Sequence, residues 1–161
     1  MSFVIRQGIE RDVPGILALI KELATFEHAP DAVKNTEKML AEDGFGTNSI
    51  YKVIIAEDLK SNAVIGMALY YMAYSTWKGR IYYLDDLIVT ESSRGYGVGR
   101  QLMDAFLKEA RQAKVNQVRW QVLDWNIPAI EFYKKMRVEL DSEWINCKMT
   151  HEQITRYLEK P

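Results

Sequence analysis

The sequence predicts an α/β (α+β) domain in which helices flank a mixed, mostly antiparallel central sheet. Three observations lead there. Two long runs of β-branched and aromatic residues, "VIGMALYYMAYS" (64–75) and "RIYYLDDLIVT" (80–90), are joined by "TWKG" and read as hairpin neighbours. Helical periodicity stands on both sides of that hairpin. After residue 90, strand and helix patterns alternate. With 161 residues, 48% of them hydrophobic, the chain can bury one sizeable core, so residues 1–161 are expected to form a single domain.

Each element has its own signal. "FVIR" (3–6) is a short strand. "DVPGILALIKELATF" (12–26) is a helix: Asp12 can cap it, Pro14 is tolerated in its first turn, and Ile16, Leu19, Ile20 and Leu23 share a face. A second short helix is expected from Thr36 to Glu42, stopped by "DGFG"; "YKVIIAE" (51–57) is a strand and "DLKSNA" a turn. "RQLMDAFLKEARQAK" (100–114) puts Leu102, Phe106, Ala110 and Ala113 on one helical face. "QVRWQVL" (117–123) reads as a strand, "AIEFYKK" (129–135) as a short helix, and "EWINCKM" (143–149) as a last strand. Thr150 and Gln153 match a capping box for a final helix, "EQITRYLEK" (152–160).

Charge excludes some functions. With 21 basic and 22 acidic residues, net −1, there is no electrostatic footprint for nucleic acid or an anionic membrane. No segment approaches a membrane span, and "MSFVIRQGIERD" has too short an apolar stretch for a signal peptide. The single cysteine, Cys147, cannot form an intrachain disulfide and fits a reducing cytoplasm; it is expected as a buried strand residue. His28 and His151 lack metal-ligand spacing and are expected at the surface, with no metal site.

"SSRGYGVGRQL" (92–102) is the most informative stretch: Gly95, Gly97 and Gly99 lie just ahead of a helix, with Arg94 and Arg100 beside them. A helix N-terminus offers unpaired amides and the positive end of the macrodipole, and glycines let an anion approach the backbone. A plain strand-to-helix turn is the alternative. The Walker pattern is absent. The dinucleotide fingerprint needs a third glycine where Arg100 stands, and only 37 residues follow Asp124, the acid that ends the next strand.

Arg94-x-x-Gly97-x-Gly99, after a long strand and before a helix, resembles the acetyl-CoA signature of the GCN5-related N-acetyltransferases (GNAT). "NIPAIEFYKK" (126–135) resembles that family's second signature. "LIKELATFE", "EDGFG", "YSTWKGRIYYLDD" and "VLDWN" resemble its diamine acetyltransferases, the spermidine/spermine N1-acetyltransferase group, and within it the thialysine N-epsilon-acetyltransferase branch. The likeness runs from Phe3 to about Trp144. It implies the GNAT fold, with a splayed strand pair holding the cofactor. It implies direct transfer of acetyl from acetyl-CoA to the primary amine of thialysine, a lysine-like compound or a short diamine or polyamine, by a homodimer.

The resemblance also implies residue roles. Arg94, Gly95, Tyr96, Gly97, Val98, Gly99 and Arg100 would grip the pyrophosphate, and the backbone of Leu87, Ile88 and Val89 the pantetheine arm. Asn126, Pro128, Ala129 and Tyr133 would complete the cofactor site, with Tyr133 as general acid. Asp85 would accept or relay the amine's proton, and Asp86 would hold a second ammonium. Phe26, Glu27, Trp77, Ser142, Glu143 and Trp144 would contact substrate. Such roles suit the chemistry, because freeing an alkyl amine of pKa about 10.4 at pH 7 costs roughly 4–5 kcal/mol. Adjacent strand residues point to opposite faces, so Asp85 and Asp86 can share a pocket only across a bulge, which the resemblance implies.

The sequence departs from the family at Asp85, where most relatives carry glutamate, and at Ser75, where polyamine-preferring relatives carry aspartate. Arg137 replaces a glycine, and the segment before Trp144 is short. A family member acting on protein amines, a non-catalytic coenzyme A sensor and a dinucleotide-binding module remain alternatives.

Overall fold

The computed structural model describes residues 1–159, which fall into two compact units, the first Met1–Gln121 and the second from Val122 onward. The first unit is built on a five-stranded sheet of order β1-β2-β3-β4-β5: β1 Phe3–Gln7, β2 Lys52–Asp58, β3 Val64–Ser75, β4 Gly79–Val89 and β5 Gln117–Arg119. The first four strands pair antiparallel, and β5 joins β4 in parallel.

Both faces of this sheet are covered, so its strands lack simple alternation of apolar and polar residues. On one face, α1 (Val13–Phe26) and α2 (Glu37–Phe45) bury Ile16, Leu17, Leu19 and Leu40 against Val53, Ile55, Met67 and Leu69. On the other, α3 (Val98–Gln112) buries Leu102, Met103 and Phe106. The Phe106 ring meets Tyr70 edge-on, centroids 5.1 Å apart, and Tyr70 meets Tyr82 at 5.0 Å. Residues 67 to 70 thus serve two cores in turn.

Asp12 does not cap α1 with its side chain. It accepts the Ile9 amide at 2.8 Å and the two terminal Arg6 guanidinium nitrogens at 2.7 and 2.8 Å, while Arg6 Nε donates to Glu57 at 2.5 Å. At 5% exposure the carboxylate is largely out of water and needs these charged and amide donors. The helix expected to stop at Glu42 runs to Phe45, whose ring packs edge-on against Tyr51 and holds the last turn. Thr36 Oγ1 accepts the Met39 amide at its start.

The strand expected over 117–123 is shorter. Its ladder with β4 runs from Ile81↔Gln117 to Tyr83↔Arg119 and ends there. Beyond Tyr83, β4 keeps β3 on one edge only, which is the splayed arrangement the family resemblance implies.

The second unit holds α4 (Ile127–Lys134) and α5 (His151–Leu158). Asn126 caps α4 by accepting the Ala129 amide at 3.3 Å. Thr150 and Gln153 form the expected capping box, at 3.2 and 2.8 Å. Residue 160, the expected last helical position, lies outside the described residues. No strand forms over 143–149. Its apolar side chains Trp144, Ile145 and Met149 stay in solvent, and without a neighbouring strand an extended segment has no ladder. Cys147 is therefore exposed, not a buried strand residue. Among the described residues, no helix is long and apolar enough to cross a membrane.

Candidate active site

The β3–β4 register carries the site's central feature. Leu69 pairs with Asp86 and Tyr70 with Leu84, leaving Asp85 as an extra residue without a partner. This bulge lets two successive carboxylates turn to one side, and both line a cavity of about 580 Å³ in the first unit. α2 contributes Leu40 and Asp43 to its wall, the following loop Ile50, and β3 Leu69, Tyr71 and Met72.

The carboxylates disturb one another. Burial, then repulsion from Asp85 and Glu27, pushes the half-buried Asp86 up to about 7. Burial also raises Asp85, although one face of it meets solvent, and raises Glu27 at the end of α1. Tyr71 and Tyr83 stack at 5.4 Å; burial, then the charge of Asp85, raises both phenols. A wall with this surplus of negative charge favours a cation, whose arrival would relieve the repulsion.

The glycine loop lies ahead of α3. Gly95 and Gly97 have φ of 83° and 80°, left-handed angles that glycine adopts without a Cβ penalty. Nothing stands within 4 Å of where a Cβ would project at either position. The first backbone bond reaching back from α3 is Gln101 N–H to Gly97 O, at 3.1 Å. The amides of Val98, Gly99 and Arg100 therefore head the helix as its unpaired donors. Arg94 Nε donates to Val89 O at 3.0 Å, and Arg100 pairs with Asp104 at 2.9 Å. Tyr96 is exposed and Val98 buried.

The remaining residues are distributed unevenly. Phe26 is absent from the cavity wall; its ring lies under the Arg94 guanidinium, 5.7 Å from the centroid. Trp77 is 82% exposed at the β3–β4 turn and also outside that wall. Ser75 Oγ accepts the Trp77 and Lys78 amides at 3.3 and 3.2 Å, so this hydroxyl closes the turn. In the second unit, Tyr133 is buried and its phenol pushed up to about 12 by burial. Asn126 caps the helix carrying Pro128, Ala129 and Tyr133. Ser142, Glu143 and Trp144 are exposed, and the Glu143 amide donates to Asp141 Oδ1 at 3.0 Å. His28 and His151 are exposed, and among the described residues no group of three His, Cys, Asp or Glu could hold a metal.

Sequence reasoning missed Asp43 and Tyr71 in the cavity wall. Asp43 belongs to "EDGFG", read as a helix stop and as part of the family likeness but not as a site, and Tyr71 looks like any strand aromatic.

Residues 16–137, which include the bulge, the glycine loop and Tyr133, match the family model described as "Acetyltransferase (GNAT) family". The chain belongs to that family. It is 41% identical over 143 residues to the thialysine N-epsilon-acetyltransferase of Bos taurus, covering 84% of each chain. It is 31% identical over 194 aligned positions to the L-ornithine N5-acetyltransferase NATA1 of Arabidopsis thaliana, covering 93% of this chain and 85% of that one. An integron cassette protein from the mobile metagenome of V. cholerae is 25% identical, with a TM-score of 0.78 and 99% of each chain covered. This GNAT protein is an N-acetyltransferase, and enzymes of the family generally use acetyl-CoA. Its glycine loop fits such a cofactor: the space a Cβ would enter at Gly95 and Gly97 is open, and helix-leading amides border it.

Proposed function

We propose that the protein acetylates the primary amine of a small substrate with a second cationic or zwitterionic end, such as thialysine, a lysine-like compound or a short diamine, using acetyl-CoA. The observation that carries this is the bulge at Asp85, which turns two carboxylates into one cavity. Names of the bovine and Arabidopsis relatives, both acting on the side-chain amine of an amino acid, support the substrate class.

When bound, acetyl-CoA supplies an activated acetyl thioester; the chain's residues would hold and prepare its partners. Amides of Gly95 to Arg100, with Arg94, would hold the diphosphate, and the free edge of Leu87, Ile88 and Val89 the pantetheine amides; Asn126, Pro128 and Ala129 are assigned to the cofactor by resemblance. Asp86 and Glu27 attract the ammonium form. Asp85 accepts its proton through water, which suits a shorter side chain with a solvent-exposed face. Tyr133, whose phenol burial pushes up to about 12, would be the acid that protonates the leaving sulfur. Attack by the amine is direct: Cys147 lies exposed in an irregular segment, and no acyl-enzyme is needed. Phe26, Trp77, Ser142, Glu143 and Trp144 remain assigned to the acceptor side by resemblance. The lone thiol suits the cytoplasm, and the exposed Trp144, Ile145 and Leu158 side chains support a homodimer.

A thiol-release assay over thialysine, lysine, ornithine, short diamines, spermine and a lysine peptide tests the reading. Acetylation of small amines is expected. Turnover of the peptide alone would favour a protein acetyltransferase, and saturable acetyl-CoA binding without turnover a sensor.

A further inference from the structure

The glycine loop has open space around Gly95 and Gly97, so its position depends on what fixes the arm leading into it. That arm runs from Val89 to Arg94 and is held from α1 at both ends. At its start, Glu22 Oε2 accepts the Thr90 hydroxyl at 2.8 Å and Oε1 accepts the Glu91 amide at 2.9 Å. At its end, the Arg94 guanidinium rests over Phe26, one helical turn beyond Glu22. Between them, a single 3₁₀ turn, Glu91–Ser93, buries Ser93 at 2% exposure and donates its amide to Thr90 O at 2.9 Å. Two hydrogen bonds and a cation–π contact therefore connect α1 to the segment that ends at the first residue of the loop.

We propose that Glu22 is a positioning residue for the cofactor: by holding Thr90 and Glu91 it sets where the loop amides point. This rests on the reading that residues 94–100 hold the acetyl-CoA diphosphate. Glutamate offers one acceptor oxygen to each donor. Glutamine can still accept the Glu91 amide while its NH₂ donates to a rotated Thr90 hydroxyl, whereas alanine loses both bonds.

Steady-state kinetics with acetyl-CoA varied at saturating amine, together with calorimetric titration of coenzyme A, test this on the full chain. Glu22→Ala is expected to raise the KM and Kd for the cofactor about tenfold, with kcat and the amine KM within about twofold. Glu22→Gln should recover to within about threefold. Thr90→Val, which removes one donor and keeps the amide, should fall between. A Glu22→Ala protein that melts earlier but keeps its cofactor KM has lost only structure, and that result overturns the proposal. So does Glu22→Gln behaving like alanine or, if Glu22→Ala does not fold, an unchanged cofactor KM in Thr90→Val. Wild-type protein that binds no coenzyme A would instead refute the underlying loop reading.

Discussion

A carboxyl placed where Asp86 sits holds its proton to about pH 7, because burial and two carboxylate neighbours oppose its ionisation. Its folded pKa lies above the ordinary 3.8, so ionisation above that value works against the folded state, fully so once pH passes about 7. Asp86→Asn should therefore raise Tm at pH 8 and leave it nearly unchanged at pH 4, as scanning calorimetry would show. On the proposed mechanism, the same ionisation pairs the ammonium of the substrate. The acid limb of log kcat/KM is expected to bend near pH 7 in wild type and to lose that bend in Asp86→Asn, while kcat/KM falls at least about tenfold. Asp85 titrates alongside, so the bend belongs to the pair. Tyr133 sits at the opposite extreme, keeping its proton throughout this range. Tyr133→Phe should lower kcat by about 10²-fold or more with unchanged calorimetric affinity for coenzyme A; an unchanged kcat would remove the tyrosine from the mechanism.

Among the elements, β1, α1 and β2 are locked together by Arg6, which bonds Asp12 on one side and Glu57 on the other. Burial pushes the Asp12 carboxyl up, but hydrogen bonds from Arg6 and the Ile9 amide outweigh it and hold the pKa below the ordinary carboxylate range. That stabilisation is present above the unfolded pKa and lost as pH falls through the folded one. Asp12→Ala leaves Arg6 part-buried with one partner fewer and should cost about 3 kcal/mol, roughly 6–12 °C in Tm at pH 7. The difference from wild type should shrink in acid; one that stays constant to pH 2 would mean that packing, not the ion pair, is responsible. The bulge in β4 is the other decisive element. One extra residue turns a strand that would display alternate carboxylates into one that presents both to the cavity.

At the scale of the whole molecule, charge and size set the acceptor. Three aspartates line the cavity, Glu27 adds to their field, and no lysine or arginine is in the wall. Ser75, occupied with its turn, adds no further carboxylate for a long polyamine. Short diamines and thialysine should exceed spermine at least about tenfold in kcat/KM, measured by thiol release; the reverse order would contradict this. Much of this organisation was legible in the sequence. The β3–β4 hairpin, the amphipathic α3 and the Thr150 capping box depend on local pattern, and local pattern found them. Asp12 read as a cap because its burial and its bonds to Arg6, six residues earlier and itself held by Glu57 of β2, are tertiary features that a capping pattern does not contain. Residues 143–149 carry strand-like composition without a partner strand, which composition cannot reveal. Asp43 and Glu22 act through residues distant in sequence, and Phe26 meets Arg94 rather than the cavity.

The central claim is that the glycine loop holds the cofactor's diphosphate, and calorimetric titration of coenzyme A into wild type and Gly97→Ala addresses it directly. A Cβ there would impose about 1–2 kcal/mol of left-handed strain and would project into the open space beside the loop amides. Saturable one-to-one binding to wild type and at least about tenfold weaker binding to a folded Gly97→Ala is the expected result. Equal affinity for the two proteins would contradict the account.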